Sequence, residues 1–125
     1  VNREPSTITV VMQPPMRLDE HNHSIHRFVE RWWPYTDTEK RLRNPWKKAE
    51  AMRPRLEALQ MAVRTGAYHV ENVPDERQSI WAFVVQGGPN RGRTALMVVS
   101  EDGVVRTVLP PEARRPANRR RVRSR

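Results

Sequence analysis

The chain has 125 residues, enough for one domain with tails, and its 23 Lys and Arg against 14 Asp and Glu give a formal net charge of +9 and a pI near 11.3. It has no cysteine, which excludes disulfides and thiolate zinc sites, and no apolar run approaches the ~20 residues of a membrane span. With 37% hydrophobic and 30% charged residues and no signal-peptide core at the start, the expectation is a soluble cytoplasmic protein without membrane contact, its ends outside the core.

Residues 1–22 read as an extension. Thr7, Ile8, Thr9, Val10, Val11 and Met12 are β-branched enough for a short strand that Pro14 and Pro15 end, and 17–22 read as a charged linker in which Asp19 or Asn22 caps the helix after it. Ile25, Phe28, Val29, Trp32 and Trp33 then fall at the spacing of an amphipathic helix stopped by Pro34. Thr36 and Glu39 have capping-box spacing for a brief helical piece over 37–43. Asn44 before Pro45 starts a longer helix, with Ala49, Met52, Leu56, Leu59 and Val63 as its core seam and Lys47, Lys48, Glu50, Arg53, Arg55 and Glu57 off it. Pro54 predicts a kink or break near Met52, and Gly66 the stop. Trp32, Trp33, Trp46 and Trp81 fall on or beside core stripes, with Trp33 and Tyr35 the candidates for stacking on bases.

Beyond Gly66 the period changes to two, predicting strands over 68–73, 79–86, 94–100 and 104–109, joined by 74–77, the Gly-rich loop 87–93 and the tight turn 101–103. Short links imply an antiparallel meander, with 80–85 and 95–99 as well-buried central strands. The fold class is therefore α+β, N-terminal helices on a four-stranded antiparallel meander within one domain over 23–109. Residues 110–125 form a Pro- and Arg-rich tail, expected to be disordered until it meets a partner. Its seven arginines (Arg114, Arg115, Arg119, Arg120, Arg121, Arg123 and Arg125) against Glu112 carry +6 of the net charge.

Four constellations carry chemistry. His21, His23 and His26 cluster at the start of the first helix, but a catalytic zinc wants three placed ligands, so neither a metal nor any other cofactor is expected. His23, Arg27 and Arg31, at i, i+4 and i+8, line one helix stripe suited to phosphate, although the same stripe opposes the apolar face and by default is the wet side. Arg106 and Thr107 interrupt an apolar strand and point to opposite faces. His69 and Glu71 share a strand face, and Arg91 and Arg93 in the 87–93 loop are placed to touch a phosphate backbone.

The segment His23-Ser24-Ile25-His26-Arg27-Phe28-Val29-Glu30-Arg31-Trp32, with a histidine followed by arginines four and eight positions later, resembles small toxin-like and phage-encoded proteins. Helices followed by a four-stranded sheet ending in Val105-Arg106-Thr107-Val108 are similar to the RelE-type branch of the barnase, EndoU, colicin and RelE superfamily. The resemblance implies a metal-independent endoribonuclease that drives attack of the 2′-hydroxyl on its phosphate. His23 would be general acid or base, Arg27 and Arg31 would hold the phosphate, and Thr107 or Arg106 would reach in from the last strand. The chain departs from that pattern in its long proline-containing helix, N-terminal extension and arginine arm. The expectation is thus a protein that binds RNA or DNA. It is either such a nuclease or a non-catalytic binding or inhibitor module, of phage type, acting on a protein of a nucleic-acid machine.

Overall fold

A computed structural model of the chain describes residues 13–112. The strand expected over 7–12 and the arginines from Arg114 onward lie outside the described residues.

The fold is α+β. In chain order it runs β1 (Arg17–Leu18), α1 (His23–Trp32), α2 (Asp37–Lys40), α3 (Pro45–Met61) with a π-helical turn (Ala62–Gly66), β2 (Tyr68–Val73), a 3-10 turn (Pro74–Glu76), β3 (Gln78–Val84), β4 (Thr94–Ser100) and β5 (Val104–Val108). The sheet order is β1-β5-β4-β3-β2, in which β2 to β5 form the expected antiparallel meander and β1 lies parallel to β5. The apolar runs in β3 and β4 accordingly occupy central positions. Among the described residues no helix is long and apolar enough to cross a membrane.

Strand alternation divides the sheet's side chains between two faces. Phe83, Val85, Ala95, Met97, Val99, Val105 and Val108 meet Ile25, Phe28, Val29 and Trp32 of α1 and Leu59, Ala62 and Val63 of the α3 region in the main core. Each fully buried Phe, Leu, Met or Val there contributes roughly 1.5–3 kcal/mol relative to exposure. A smaller cluster of Val73, Ile80 and Val98 lies on the other face.

Five expectations are corrected. The linker over 17–22 contains β1, because Arg17 and Leu18 pair with Val104 and Val105 and the Met16 and Arg17 amides donate to the Gly103 carbonyl. Gly103 has φ 88, and a Cβ there would lie 2.9 Å from the Pro14 carbonyl oxygen, so glycine both makes the β4–β5 turn and admits the N-terminal segment beside it. Second, of the kink or break expected near Met52 the break does not occur, since α3 continues past Pro54: Glu50 and Pro54 are both exposed, so the carbonyl that Pro54 leaves unpaired can meet water. Third, Arg55 is not on the wet side but 2% exposed. Fourth, Ala49 and Trp46 lie outside the core, Trp46 at 80% exposure. Fifth, a bulge in β2 sets His69 opposite Trp81 and Glu71 opposite Ile80, so the two side chains do not share a face.

Candidate nucleic-acid interface

Asp19 organises the start of α1. Its carboxylate accepts from the His23 amide (2.9 Å), the Ser24 amide (2.8 Å) and the Ser24 hydroxyl (2.7 Å), doing from three residues upstream what the cap residue Asn22, left-handed at φ 62, does not. Burial pushes the Asp19 carboxyl up, but the Ser24 and His23 hydrogen bonds and the charge of His23 outweigh it and lower the pKa to about 2.

With the helix start fixed in this way, His23 opens into a polar cleft of about 410 Å³. Arg17 of β1, His21, Asp102 of the β4–β5 turn and Arg106 of β5 share that cleft with it, along with Asp19 and Glu20. The His21 and His23 rings are 6.0 Å apart between centroids. Arg106 owes its place to a second bulge: Val98 pairs with Thr107 and Val99 with Val105, so Arg106 is the extra residue and leaves the ladder. The Ser100 hydroxyl holds the Asp102 carboxyl below the usual carboxylate range, with Arg17 and Arg106 adding to the effect.

The sequence-derived site is therefore divided. His23 and Arg106 come together. Thr107 stands beside Val98 on the sheet face away from the helices. Arg27 is exposed and paired with Glu30 at 3.0 Å. Arg31 is half-buried and donates to the Val108 carbonyl at 2.7 Å, while the neighbouring Trp32 indole donates to the Leu109 carbonyl at 2.7 Å. These two bonds fasten α1 to the end of β5, so Arg31 already holds an acceptor in the fold.

In the 87–93 loop, Arg93 lies over the Trp32 ring at 5.6 Å and donates to Asn90, which itself donates to the Trp32 carbonyl. Arg91 is exposed. Gly87 is required here, since a Cβ would fall 2.3 Å from the Trp33 ring. Trp33 is thereby occupied by packing and is not a free stacking surface. Arg17, His21 and Asp102 were missed by the sequence reading as members of one site. His21 carried a signal in the histidine cluster, whereas Arg17 and Asp102 join only through the β1–β5 pairing.

Among the described residues no three His, Cys, Asp or Glu side chains are grouped to hold a metal ion. Comparison of the chain with protein families, curated proteins and solved structures gives no match.

Proposed function

We propose that the protein binds nucleic acid, with the arginines that come after β5 neutralising phosphates and the cleft at Arg17 and Arg106 receiving the backbone. The observation that carries this reading is the placement of charge: seven arginines fall within residues 110–125, starting six positions after Val108. Guanidinium forks bind phosphate oxygens in pairs and are indifferent to base sequence. Such a partner fits a cytoplasmic protein and no membrane.

A second reading, metal-independent cleavage of RNA by a RelE-type mechanism, is favoured by the two imidazoles beside two guanidiniums in one cleft, which Asp19, Glu20 and Asp102 also line. One imidazole would take the proton of the 2′-hydroxyl as its oxygen attacks phosphorus, and the other would give a proton to the departing 5′-oxygen. Arg17 and Arg106 would hold the charge building on the phosphate. Arg27 could join them by leaving Glu30, an exposed pair worth only about 0.2–1 kcal/mol.

Labelled single-stranded RNA, duplex DNA and bulk RNA incubated with the protein and a chelator test both readings. Retarded but intact RNA supports binding alone. Cleavage that disappears in the His21→Ala, His23→Ala double variant, with retardation kept, supports the enzyme. Failure to retain any nucleic acid at low ionic strength would refute both.

A further inference from the structure

The surface around the start of α3 concentrates charge as strongly as the tail does. Residues 40–48 hold Lys40, Arg41, Arg43, Lys47 and Lys48 and no acid. With +5 here and +6 in 110–125, the rest of the chain sums to −2, so the whole surplus of +9 lies in these two segments. Among the described residues none of the five cations enters an ion pair: the pairs present are those of His23, Arg27, Arg55 and Arg77. The nearest acid in sequence, Glu39, is already bound to Arg55 at 2.7 Å.

Four of these cations share one place. Lys40, Arg41, Leu42, Arg43 and Lys48 line an open depression of about 680 Å³. It adjoins a smaller, more apolar one of about 310 Å³, where Lys40, Leu42 and Lys48 meet Tyr35, Ala51 and the Arg55-bound Glu39. On the far side of the same helix turn stands Trp46. Its backbone amide donates to Asn44, yet the residue is 80% exposed. At 3.6 residues per turn Trp46 and Lys48 lie about 160° apart around α3, so the patch wraps the helix end across its ~10–12 Å width.

We propose that this surface binds single-stranded nucleic acid, with the depression between α2 and α3 taking backbone phosphates and Trp46 stacking on an unpaired base. The inference rests on the reading that the partner is nucleic acid, and adds the strand state and the side chain that recognises it. An exposed indole on the same helix end as a cluster of cations is the combination by which sequence-tolerant single-strand surfaces work, because every unpaired base offers a ring face. Duplex bases are stacked on each other and present none. A lipid surface would ask for several large apolar side chains beside the charges, and here Leu42 is half-buried, leaving Trp46 alone. The ~4–16 nucleotides that such surfaces engage easily cross one helix end.

The test uses the full chain and fluorescein-labelled twelve-nucleotide oligouridine, with a duplex of the same length in parallel, read by anisotropy over a salt series. Trp46→Ala is expected to weaken single-strand binding roughly 5- to 100-fold and duplex binding less than about 2-fold, while Trp46→Phe, which keeps a ring, stays within about 3-fold of the parent. Exposure of the side chain predicts an unchanged urea midpoint in both variants. Replacing Lys40, Arg41, Arg43 and Lys48 with Gln should reduce the salt slope by up to about 3, near 0.7 per lost contact. If the parent binds oligouridine and Trp46→Ala binds it equally well, the surface is not the single-strand site, although the nucleic-acid reading survives through the tail. A parent that binds neither oligonucleotide overturns both. Loss in Trp46→Ala of binding to phosphatidylserine vesicles, with oligouridine binding unchanged, would assign the surface to lipid and overturn the proposal.

Discussion

Arg55 illustrates at the residue scale how a charge is made tolerable inside a small core. Its Nε donates to the Trp33 carbonyl at 2.8 Å, Nη2 to the Pro34 carbonyl at 3.1 Å and to Glu39 at 2.7 Å, and Nη1 to the Ala51 carbonyl and Glu39, so all its N–H groups have acceptors. The guanidinium also lies 4.4 Å from the Tyr35 ring centroid and 5.2 Å from that of Trp33. Because removing one partner strands the others, Arg55→Ala should destabilise the protein by about 3–5 kcal/mol in urea titration; a loss under 1 kcal/mol would mean the network is worth no more than a surface pair. Asp19 makes the complementary case with an anion. Its side chain is 10% exposed and its folded pKa, about 2, is depressed from 3.8, so its contribution is complete above pH ~4 and lost as pH falls through 2. The gap corresponds to about 2 kcal/mol. Stability of the parent measured between pH 5 and pH 2 should fall more steeply than that of Asp19→Asn by about this amount, and parallel curves would contradict the capping role.

At the scale of elements, α3 carries a proline where regular helices lose about 3 kcal/mol, yet spans 17 residues from Pro45 to Met61. Pro54→Ala should therefore raise stability by about 1–2 kcal/mol, the gain being reduced because proline also restricts the unfolded chain. A calorimetric midpoint higher by roughly 4–8 °C per kcal/mol would register it, and a lower midpoint would mean that the ring itself packs. What could be read from the sequence at this scale was whatever depends on neighbours in the chain. The α1 stripe, the Thr36–Glu39 capping box, the Asn44 cap and the four meander strands all arise from local spacing and local hydrogen bonds. The features that escaped depend on a distant partner. Two-residue β1 has no period and exists because β5 offers it an edge. The bulges that separate His69 from Glu71 and free Arg106 are set by the opposing strand. Arg55 reads as surface because its acceptors are carbonyls at the end of the preceding segment, and Trp46 reads as core because an aromatic at a helix start carries no sign of which way it faces. Of the site, His23 and Arg106 were legible, whereas Arg17, Asp102 and the Trp46 surface were not.

For the whole molecule the consequence of the proposed nucleic-acid binding is bivalency. If both cationic segments bind one strand as proposed, the second encounter becomes an intramolecular event, whose strength depends on whether the strand is long enough to reach both. A single strand of ~20 nucleotides should then bind more than tenfold tighter than one of ~6, beyond the gain from extra registers on a longer strand. Replacing Arg119, Arg120 and Arg121 with Gln should remove that excess, as should replacing Lys40, Arg43 and Lys48, because either change leaves one engaged segment. Each triple variant should also lower the salt slope by about 2, near 0.7 for each phosphate no longer met. Anisotropy titrations over both lengths would decide it. Should the length dependence survive neutralisation of either segment, the two do not act on one strand, and the +9 surplus serves separate partners.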